Sequence, residues 1–343
     1  MSSAAAAFRD GVRRVNSAPI VVLGMSALTL LMALPLALAL ASMLEAHLGR
    51  SLAAESAAAG TNFDWWQEFL SQATGLGTTF IPSIIGFGAV LENASGLLDN
   101  LPLATTIVGV TAAWMIAWSF LSGGVLDRYA RNRPTRSHGF FAACGTHVWR
   151  FARLGVIAWL VYLFLFATVH GWLFDMAYPA LTRDVTVERT AFAVRLAAYG
   201  IFGLLLAICN LTFDYARVRI VVEDRRSAIG AVAAAVRFVR RHAGRVAGLA
   251  LLNAAALLLV VGLYALLSPG APGSGAGMWL TLALGQLYIL ARHYLKLLSY
   301  ASDTALFQRA LAHASYTAAP TVVWPDSPAV ESIVNADPAQ RRP

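Results

Sequence analysis

Charged residues and cysteines are both scarce in this sequence. Only 13% of its 343 residues are charged and only two are cysteines, whereas 58% are hydrophobic and the mean hydropathy is +0.63. About a quarter of the residues of a soluble globular protein are charged, so this chain lacks the polar side chains that would cover a water-facing surface of its size. The composition therefore excludes an ordinary soluble protein and indicates one that is surrounded largely by lipid.

Motifs that carry catalysis or hold nucleotides and metals are absent from the sequence as well. No Gly-Lys-Ser/Thr, Gly-x-Ser-x-Gly or His-Glu-x-x-His segment occurs. The two cysteines, Cys144 and Cys209, lack the Cys-x-x-Cys spacing of redox and metal sites. We therefore expect no enzyme activity, no cofactor and no metal site.

Long apolar runs dominate what is present. A spanning helix needs about 20 mostly apolar residues, because the hydrocarbon layer is about 30 Å thick. We predict an all-α fold, a polytopic integral membrane helical bundle with six transmembrane helices and with amphipathic helices at the interfaces. The predicted spans are Pro19–Leu44, Leu103–Leu121, Leu154–Trp172, Phe192–Thr212, Val246–Leu267 and Met278–Tyr300.

The first predicted span has a second interpretation as a cleaved signal peptide. Arg13 and Arg14 precede it, and its apolar run ends among small residues at 37–41. The apolar core of a signal peptide is usually only about 7–15 residues long. Because the run here is longer, an uncleaved first helix is favoured.

Basic residues concentrate in alternate loops. The N-terminal tail, the loops 122–153 and 213–245, and the chain from Arg292 onward hold 22 of the 26 basic residues, while the 18 acidic residues divide nine and nine. Lys and Arg are enriched on the cytoplasmic side of membrane proteins. The pattern predicts that both termini are cytoplasmic, and it explains the excess of arginine without a nucleic-acid partner.

The first outer loop, 45–102, is too long for a simple connection. Its segment 63–70 carries apolar side chains at positions 63, 66, 69 and 70, which share one face of a helix. Two interpretations stay open: an amphipathic helix in the outer interface, and a helix that packs on the rims of the spans. The next segment, 75–101, is apolar but broken by glycine and proline, which favours a surface cap of short helices over a re-entrant segment.

The two large inner loops resemble each other. Each has a charged start and then an apolar helix that carries arginines, and an offset of 90 residues aligns Ser137 with Ser227 and Arg150 with Arg240. This indicates a parallel internal repeat, in which the second and third spans match the fourth and fifth. The basic helix of each loop is expected to lie at the inner interface, where arginine faces anionic headgroups.

Ionisable residues are rare inside the predicted spans. His170 and Arg195 fall near the outer ends of their helices, and Arg292, His293 and Lys296 fall at the inner end of the sixth. No charge has to lie at the midplane, which argues against an ion-coupled pump. The milder polar residues of the spans are expected to serve helix packing.

The densest polar segment is the run from Asp214 to Arg226. Its carboxylates and guanidinium groups suit a salt-bridged elbow where a helix leaves the membrane, or alternatively a site for a lipid phosphate or a partner protein. The aromatic outer loop is a second candidate contact surface. The candidate contact residues for lipid headgroups or a partner are Arg217, Arg219, Arg225, Arg226, Arg240, Arg241, Arg150, Arg153, Trp65 and Trp66.

Two short motifs carry a resemblance to a known group of proteins. Phe120-Leu121-Ser122-Gly123-Gly124-Val125-Leu126, with Phe213-Asp214-Tyr215-Ala216-Arg217 and the following Glu223-Asp224-Arg225, resemble motifs of mostly uncharacterised bacterial six-helix membrane proteins. Those proteins are similar to the membrane domain joined to some glycerophosphodiester phosphodiesterases. The resemblance covers roughly 100–310 and implies a bacterial inner-membrane location. It carries over no phosphodiesterase activity, because that domain is absent here.

These observations predict three parts: a cytoplasmic N-tail at 1–18, a transmembrane domain at 19–316 and a flexible cytoplasmic tail at 317–343.

The favoured function is a non-enzymatic structural, assembly or accessory component of the cytoplasmic membrane. The alternative is a transport component, such as a permease-like subunit or a lipid translocator. The expected partners are membrane lipids and another membrane protein or a second copy of the chain. A membrane enzyme would have to use the elbow at 214–226.

Overall fold

Every regular element of the described chain is helical. The computed structural model describes residues 3–49, 51–58, 62–80, 88–101, 105–268 and 275–313, and no strand occurs within those ranges. The α-helices are α1 (Ser3–Asn16), α2 (Pro19–Leu48), α3 (Ala54–Ala58), α4 (Phe63–Gln72), α5 (Gly88–Leu98), α6 (Thr105–Arg131), α7 (Ser137–Phe164), α8 (Tyr178–Thr182), α9 (Glu188–Val222), α10 (Ala228–Arg241), α11 (Ala243–Leu267) and α12 (Ala276–His313).

Five helical segments have the length and apolar composition that a membrane crossing requires, and each contains most or all of one of the six predicted spans. They are Pro19–Leu48, Ile107–Arg131, Ser137–Thr182, Glu188–Val222 and Ala243–Leu267. The sixth predicted span lies inside α12, which is helical throughout but carries Arg292, His293 and Lys296. Its crossing of the membrane stays a prediction.

The helices extend beyond the predicted spans into the segments predicted as inner loops. Most of the predicted loop 122–153 is helical, because α6 continues to Arg131 and α7 begins already at Ser137. The basic segment 137–153 is therefore the first part of α7, and not a separate helix. Beyond its apolar part, α6 is stabilised by ion pairs between residues four positions apart. In one such pair, Arg131 Nε lies 2.8 Å from Asp127 Oδ1.

The second inner loop does contain a separate helix, α10. The Ser227 hydroxyl caps it by accepting a hydrogen bond from the backbone N–H of Gly230 at 3.1 Å. Its buried face consists of alanines and Phe238, and it packs on α9. The helix ends at His242, where α11 begins a new direction.

Helix boundaries recur at one residue more than the 90-residue offset of the predicted internal repeat, which stays a prediction. α6 and α9 end at 131 and 222, and α7 and α10 begin at 137 and 228, so both pairs differ by 91 residues. Each connection contains a residue in the left-handed backbone region, Asn132 with φ 48° and Asp224 with φ 50°. Asn and Asp tolerate this conformation better than most residues do.

Glycines bring α6 and α7 close together. A Cβ atom on Gly124 would lie 2.6 Å from the Cys144 sulfur and 2.8 Å from the Phe140 carbonyl oxygen, and one on Gly123 would lie 3.1 Å from His147 Cβ. The Ser122-Gly123-Gly124 segment therefore serves helix packing, in which small residues let two backbones approach.

The N-terminal tail is largely a helix. α1 buries Ala7 and Val15 completely, and it contacts α11. It also approaches α12 closely, since a Cβ atom on Gly11 would lie 2.9 Å from the backbone of Ser302. The segment predicted as a tail is thus part of the packed protein.

The outer loop forms a cap around one aromatic cluster. α4 buries Trp65 and Phe69, whose rings pack on His47 at the end of α2 and on Phe80. The buried face thus contains Trp65, whereas Phe63 is 61% exposed. Short helices at Gly75–Thr79 and Gly88–Leu98 follow, and part of the segment for which a cap was predicted, residues 81–87, lies outside the described residues.

The chain divides into a unit at Met1–Leu306 and a second one from Phe307 onward. The described part of the second unit, residues 307–313, forms the last turns of α12. The predicted flexible tail at 317–343 lies outside the described residues.

Candidate functional site

Asp214 is the centre of a buried polar cluster between α9 and α12. Its side chain is 1% exposed and receives hydrogen bonds from Arg217 Nη1 at 2.6 Å and from Asn210 Nδ2 at 3.2 Å. Lys296 Nζ on α12 lies 3.7 Å from Asp214 Oδ2, the oxygen that also accepts from Asn210. The only lysine of the chain therefore shares a carboxylate with Arg217.

The cluster extends to α6 through Tyr300. The Tyr300 hydroxyl accepts hydrogen bonds from Arg217 Nη1 and from Trp118 Nε1, each at 3.2 Å. Lys296 Nζ lies 4.6 Å from the centre of the Tyr300 ring, within the range of a cation–π contact. We call Asp214, Arg217, Lys296, Tyr300 and Trp118 the polar cluster.

A second set of contacts leads from the polar cluster to α2. Trp114 stacks on Trp118 with ring centres 5.6 Å apart, and its indole nitrogen lies 3.4 Å from the Thr29 hydroxyl. The two ring nitrogens of His293 lie 3.2 Å from the Ser26 hydroxyl and 3.1 Å from the Thr29 hydroxyl. Polar side chains thus join α2, α6, α9 and α12.

The charges of this region nearly balance. Asp303, 2% exposed, lies one turn beyond Ser299 and accepts a hydrogen bond from it at 3.4 Å. It interacts electrostatically with Lys296 and Asp214. The ion pair of Asp214 with Lys296 fixes α9 and α12 relative to each other, because separating them would leave a buried charge without its partner.

The elbow beyond the polar cluster is salt-bridged. Arg219 lies 2.8 Å from Glu223 across one helical turn and donates a second hydrogen bond to the Ala234 carbonyl on α10 at 3.0 Å. Arg225 also contacts Glu223. These two candidate arginines therefore hold the connection between α9 and α10.

Arg150 links α7 to the connection between α9 and α10. It donates to the carboxylate of Asp224, and this hydrogen bond lowers the pKa of Asp224 below its ordinary value of 3.8. Arg153, one turn later on α7, is exposed and donates to the Trp149 carbonyl at 3.3 Å.

The remaining candidate arginines face outward. Arg226 is exposed, as are Arg240 and Arg241. The last two, together with the exposed Arg237 and Arg245, surround the turn from α10 to α11, and we call these four residues the arginine surface. Within the described part of the chain no carboxylate forms an ion pair with any of the four. Two shallow cavities of about 390 and 510 Å³ lie between their side chains.

The candidate tryptophans of the outer loop have partners within that loop. Trp65 is 7% exposed, and its indole N–H donates to His47 Nδ1 at 3.0 Å. The indole N–H of Trp66 donates to the Phe80 carbonyl at 3.1 Å. Their contact with lipid or a partner stays a prediction.

The structure adds an outer cluster that the sequence did not predict. Tyr199 on α9 donates to Asp99, which lies between α5 and α6, and this hydrogen bond lowers the pKa of Asp99. Arg195 donates to the Tyr199 hydroxyl at 3.1 Å. His170, in a π-helical stretch (Leu165–His170) that follows α7, lies 2.9 Å from the Leu98 carbonyl oxygen. The sequence placed His170 and Arg195 at outer helix ends but gave no signal that Asp99 would meet them.

Metal-ligating side chains do not gather in this protein as far as it is described: no group of three His, Cys, Asp or Glu side chains could hold an ion there. The chain matches no protein-family model, no curated protein and no solved structure. The resemblance to the membrane domain of glycerophosphodiester phosphodiesterases therefore stays a prediction.

Proposed function

We propose that this chain is a non-enzymatic structural or accessory component of the bacterial cytoplasmic membrane, and that its inner face holds anionic phospholipid headgroups. The proposal includes six spans with both termini in the cytoplasm. The observation that carries it is the arginine surface, which presents four exposed guanidinium groups without carboxylate partners in the described chain.

The position of the arginine surface supports lipid as its ligand. The four side chains lie at the end of α10 and the start of α11, directly before the apolar run that begins at Val246. At such a junction, guanidinium groups reach headgroup depth while the helix continues into hydrocarbon. Each basic residue near an anionic membrane surface contributes about 1 kcal/mol, and the effect falls off within a Debye length.

Lipid retention in two charge-neutralised variants tests this proposal. One variant combines Arg240→Gln with Arg241→Gln, and its matched control combines Arg183→Gln with Arg189→Gln, two exposed arginines on the opposite side. After gentle detergent purification, native mass spectrometry counts the anionic phospholipids on each protein. We expect fewer of them on the inner variant at low salt and no change on the control.

Equal retention by the inner variant and the wild type would overturn the proposal. So would a stoichiometric protein partner that covers the arginine surface and is lost from the inner variant alone. That second result would make the chain a subunit of a protein complex.

A transport component is the second candidate, and one observation favours it. The polar cluster brings charges together between α9 and α12, at Asp214, Arg217 and Lys296, and a path for polar solutes requires polar groups between helices. A Thr29→Cys variant without the two native cysteines distinguishes the candidates. Reaction of this half-buried cysteine with a water-soluble thiol reagent in vesicles would favour transport, and its protection would favour the structural role.

A further inference from the structure

An apolar groove runs between α2 and the α6–α7 pair. Its volume is about 830 Å³, within the range of small-molecule sites. Gly24 and Leu28 line it on α2, Leu121 on α6, and Phe140 and Phe141 at the start of α7. The groove is separate from the arginine surface, which lies at the turn from α10 to α11.

The groove has polar groups at one end only. Arg128, Ser17, Thr135 and Ser137 line it there, at the inner ends of α2, α6 and α7. The opposite end, near Leu28 and Leu121, is apolar. This division matches an amphiphile with a polar head toward the cytoplasm and a hydrocarbon chain toward the bilayer centre.

Arg128 places a positive charge at the polar end of the groove. It is 6% exposed, and its Nη2 donates to the Ser17 carbonyl at 3.2 Å and to the Ser17 hydroxyl at 3.4 Å. No carboxylate of the described residues forms an ion pair with it, since its neighbour Asp127 pairs with Arg131. A buried cation without a counter-charge is costly, and an anionic ligand at the polar end would compensate it.

The length of the groove corresponds to one leaflet. From Pro19 to Leu28 the α2 side of the groove covers ten helical residues, which at about 1.5 Å per residue is about 15 Å. The hydrocarbon layer is about 30 Å thick, so this distance is roughly half of it. One acyl chain of a lipid in the inner leaflet spans the same depth.

We propose that this groove binds one anionic phospholipid of the inner leaflet, with an acyl chain between α2 and Phe140 and Phe141 and the phosphate beside Arg128. The proposal shares the orientation of the chain with the proposed function but uses different helices. The arginine surface would hold headgroups loosely and in a salt-dependent way, whereas the groove would hold a single lipid through apolar contact along its chain.

Gly24 allows the groove to be filled without disturbing the protein. No atom lies within 4 Å of the position of a Cβ on Gly24, so Gly24→Leu adds apolar atoms to open space in the groove. Gly155→Leu on α7 is the matched control, since its Cβ position is equally open and does not line the groove. Arg128→Gln removes the charge at the polar end.

The test uses the full chain purified from detergent micelles that contain equal amounts of phosphatidylglycerol and phosphatidylcholine. The protein is washed in about 0.5 M NaCl, where the Debye length is only a few ångströms and surface-bound lipid is released. Native mass spectrometry then counts the lipids that remain. We expect one phosphatidylglycerol on the wild type, on Gly155→Leu and on the Arg240→Gln, Arg241→Gln variant.

Gly24→Leu and Arg128→Gln should each retain about tenfold less lipid. Gel filtration confirms that each variant is folded, and Gly24→Leu keeps the test valid if Arg128→Gln does not fold. Retention by Gly24→Leu at the wild-type level, or no retained lipid on the wild type, would overturn the proposal. Equal retention of phosphatidylcholine would overturn the role of Arg128, and a second copy of the chain in place of lipid would overturn the assigned ligand.

Discussion

Whether an arginine of this protein supports the fold or is available to a ligand depends on its neighbours. Arg217, Arg219 and Arg150 each contact a carboxylate, whereas Arg240 and Arg241 are exposed and have no such partner in the described chain. The first two pairs are local to α9 and support that helix, and the third joins α7 to the connection between α9 and α10. The guanidinium groups of exposed arginines without a carboxylate partner in the described chain are the ones that are available to bind phosphate.

The pair of Arg150 and Asp224 predicts a pH-dependent stability. The folded-state pKa of Asp224 is lowered because Arg150 donates to it. Its contribution is therefore fully present above the ordinary value of 3.8 and is lost as the pH falls through the lower folded-state pKa. Asp224 is 72% exposed, so the contribution should stay below about 1 kcal/mol.

Thermal unfolding in detergent measures this effect. The Tm of the wild type should exceed that of Arg150→Gln at neutral pH, and the gap should close in acid below pH 3.8. Arg153→Gln is the matched control, because Arg153 donates only to a backbone carbonyl, and its Tm difference should not change with pH. A gap for Arg150→Gln that is independent of pH would contradict the prediction.

At the residue scale, the sequence predicted the salt-bridged elbow but not the partners outside it. Asp214, Arg217, Arg219 and Glu223 lie within a few residues of one another, so helical spacing alone indicates their pairing. Lys296 joins Asp214 from a helix 82 residues away. No local pattern specifies such a meeting, because it depends on how α9 and α12 pack.

At the scale of elements, the close packing of α6 on α7 depends on two glycines. Gly123 and Gly124 on α6 face Phe140, Cys144 and His147 on α7. Lipid provides no hydrophobic force between helices, so close backbone contact has to supply the attraction. The α6–α7 pair forms one wall of the lipid groove, and its geometry therefore determines the width of the groove.

Gly124→Ala should weaken this pair. The new Cβ would lie 2.6 Å from the Cys144 sulfur and 2.8 Å from a backbone oxygen, so α6 and α7 have to move apart, at a cost of about 1–3 kcal/mol. Gly109→Ala, also on α6, is the control, since nothing lies within 4 Å of its Cβ position. Unfolding by a denaturing detergent compares the two, and equal stability of both variants would contradict the prediction.

Apolar runs predicted the membrane-crossing parts of five helices, but they did not predict where the helices end. α6 continues to Arg131 and α7 begins at Ser137, well outside the apolar runs. Hydropathy identifies only the part of a helix that is apolar enough to lie in lipid. In water the same helix continues for as long as side-chain pairs and packing support it, as Asp127 and Arg131 do.

At the scale of the whole molecule, the distribution of charge predicts the orientation. Of the 26 basic residues, 22 lie in the segments assigned to the inner side. These include the connection at 132–136 and the arginine surface, while Arg183 and Arg189 lie in a segment assigned to the outer side. The positive-inside rule then gives both termini a cytoplasmic location.

Single cysteines test this orientation in a chain whose two native cysteines are replaced by alanine. Thr186→Cys introduces an exposed thiol in a predicted outer connection, and His138→Cys introduces one at the predicted inner end of α7. We expect a membrane-impermeant maleimide to label Thr186→Cys in intact spheroplasts and His138→Cys only after lysis. The reverse pattern would invert the assignment of both lipid sites.

The attachment of α2 has a mechanical consequence. Its inner half is tied down through Ser26 and Thr29, and its outer end through His47. Between them, Pro35 interrupts the ladder of backbone hydrogen bonds. A beam held at both ends bends most easily at a weak point between its supports, so thickness changes of the bilayer should be absorbed near Pro35. Gly24 lies between Pro35 and the start of α2, in the part of the helix that Ser26 and Thr29 hold in place. The groove beside Gly24 would therefore keep its width while the membrane around it deforms.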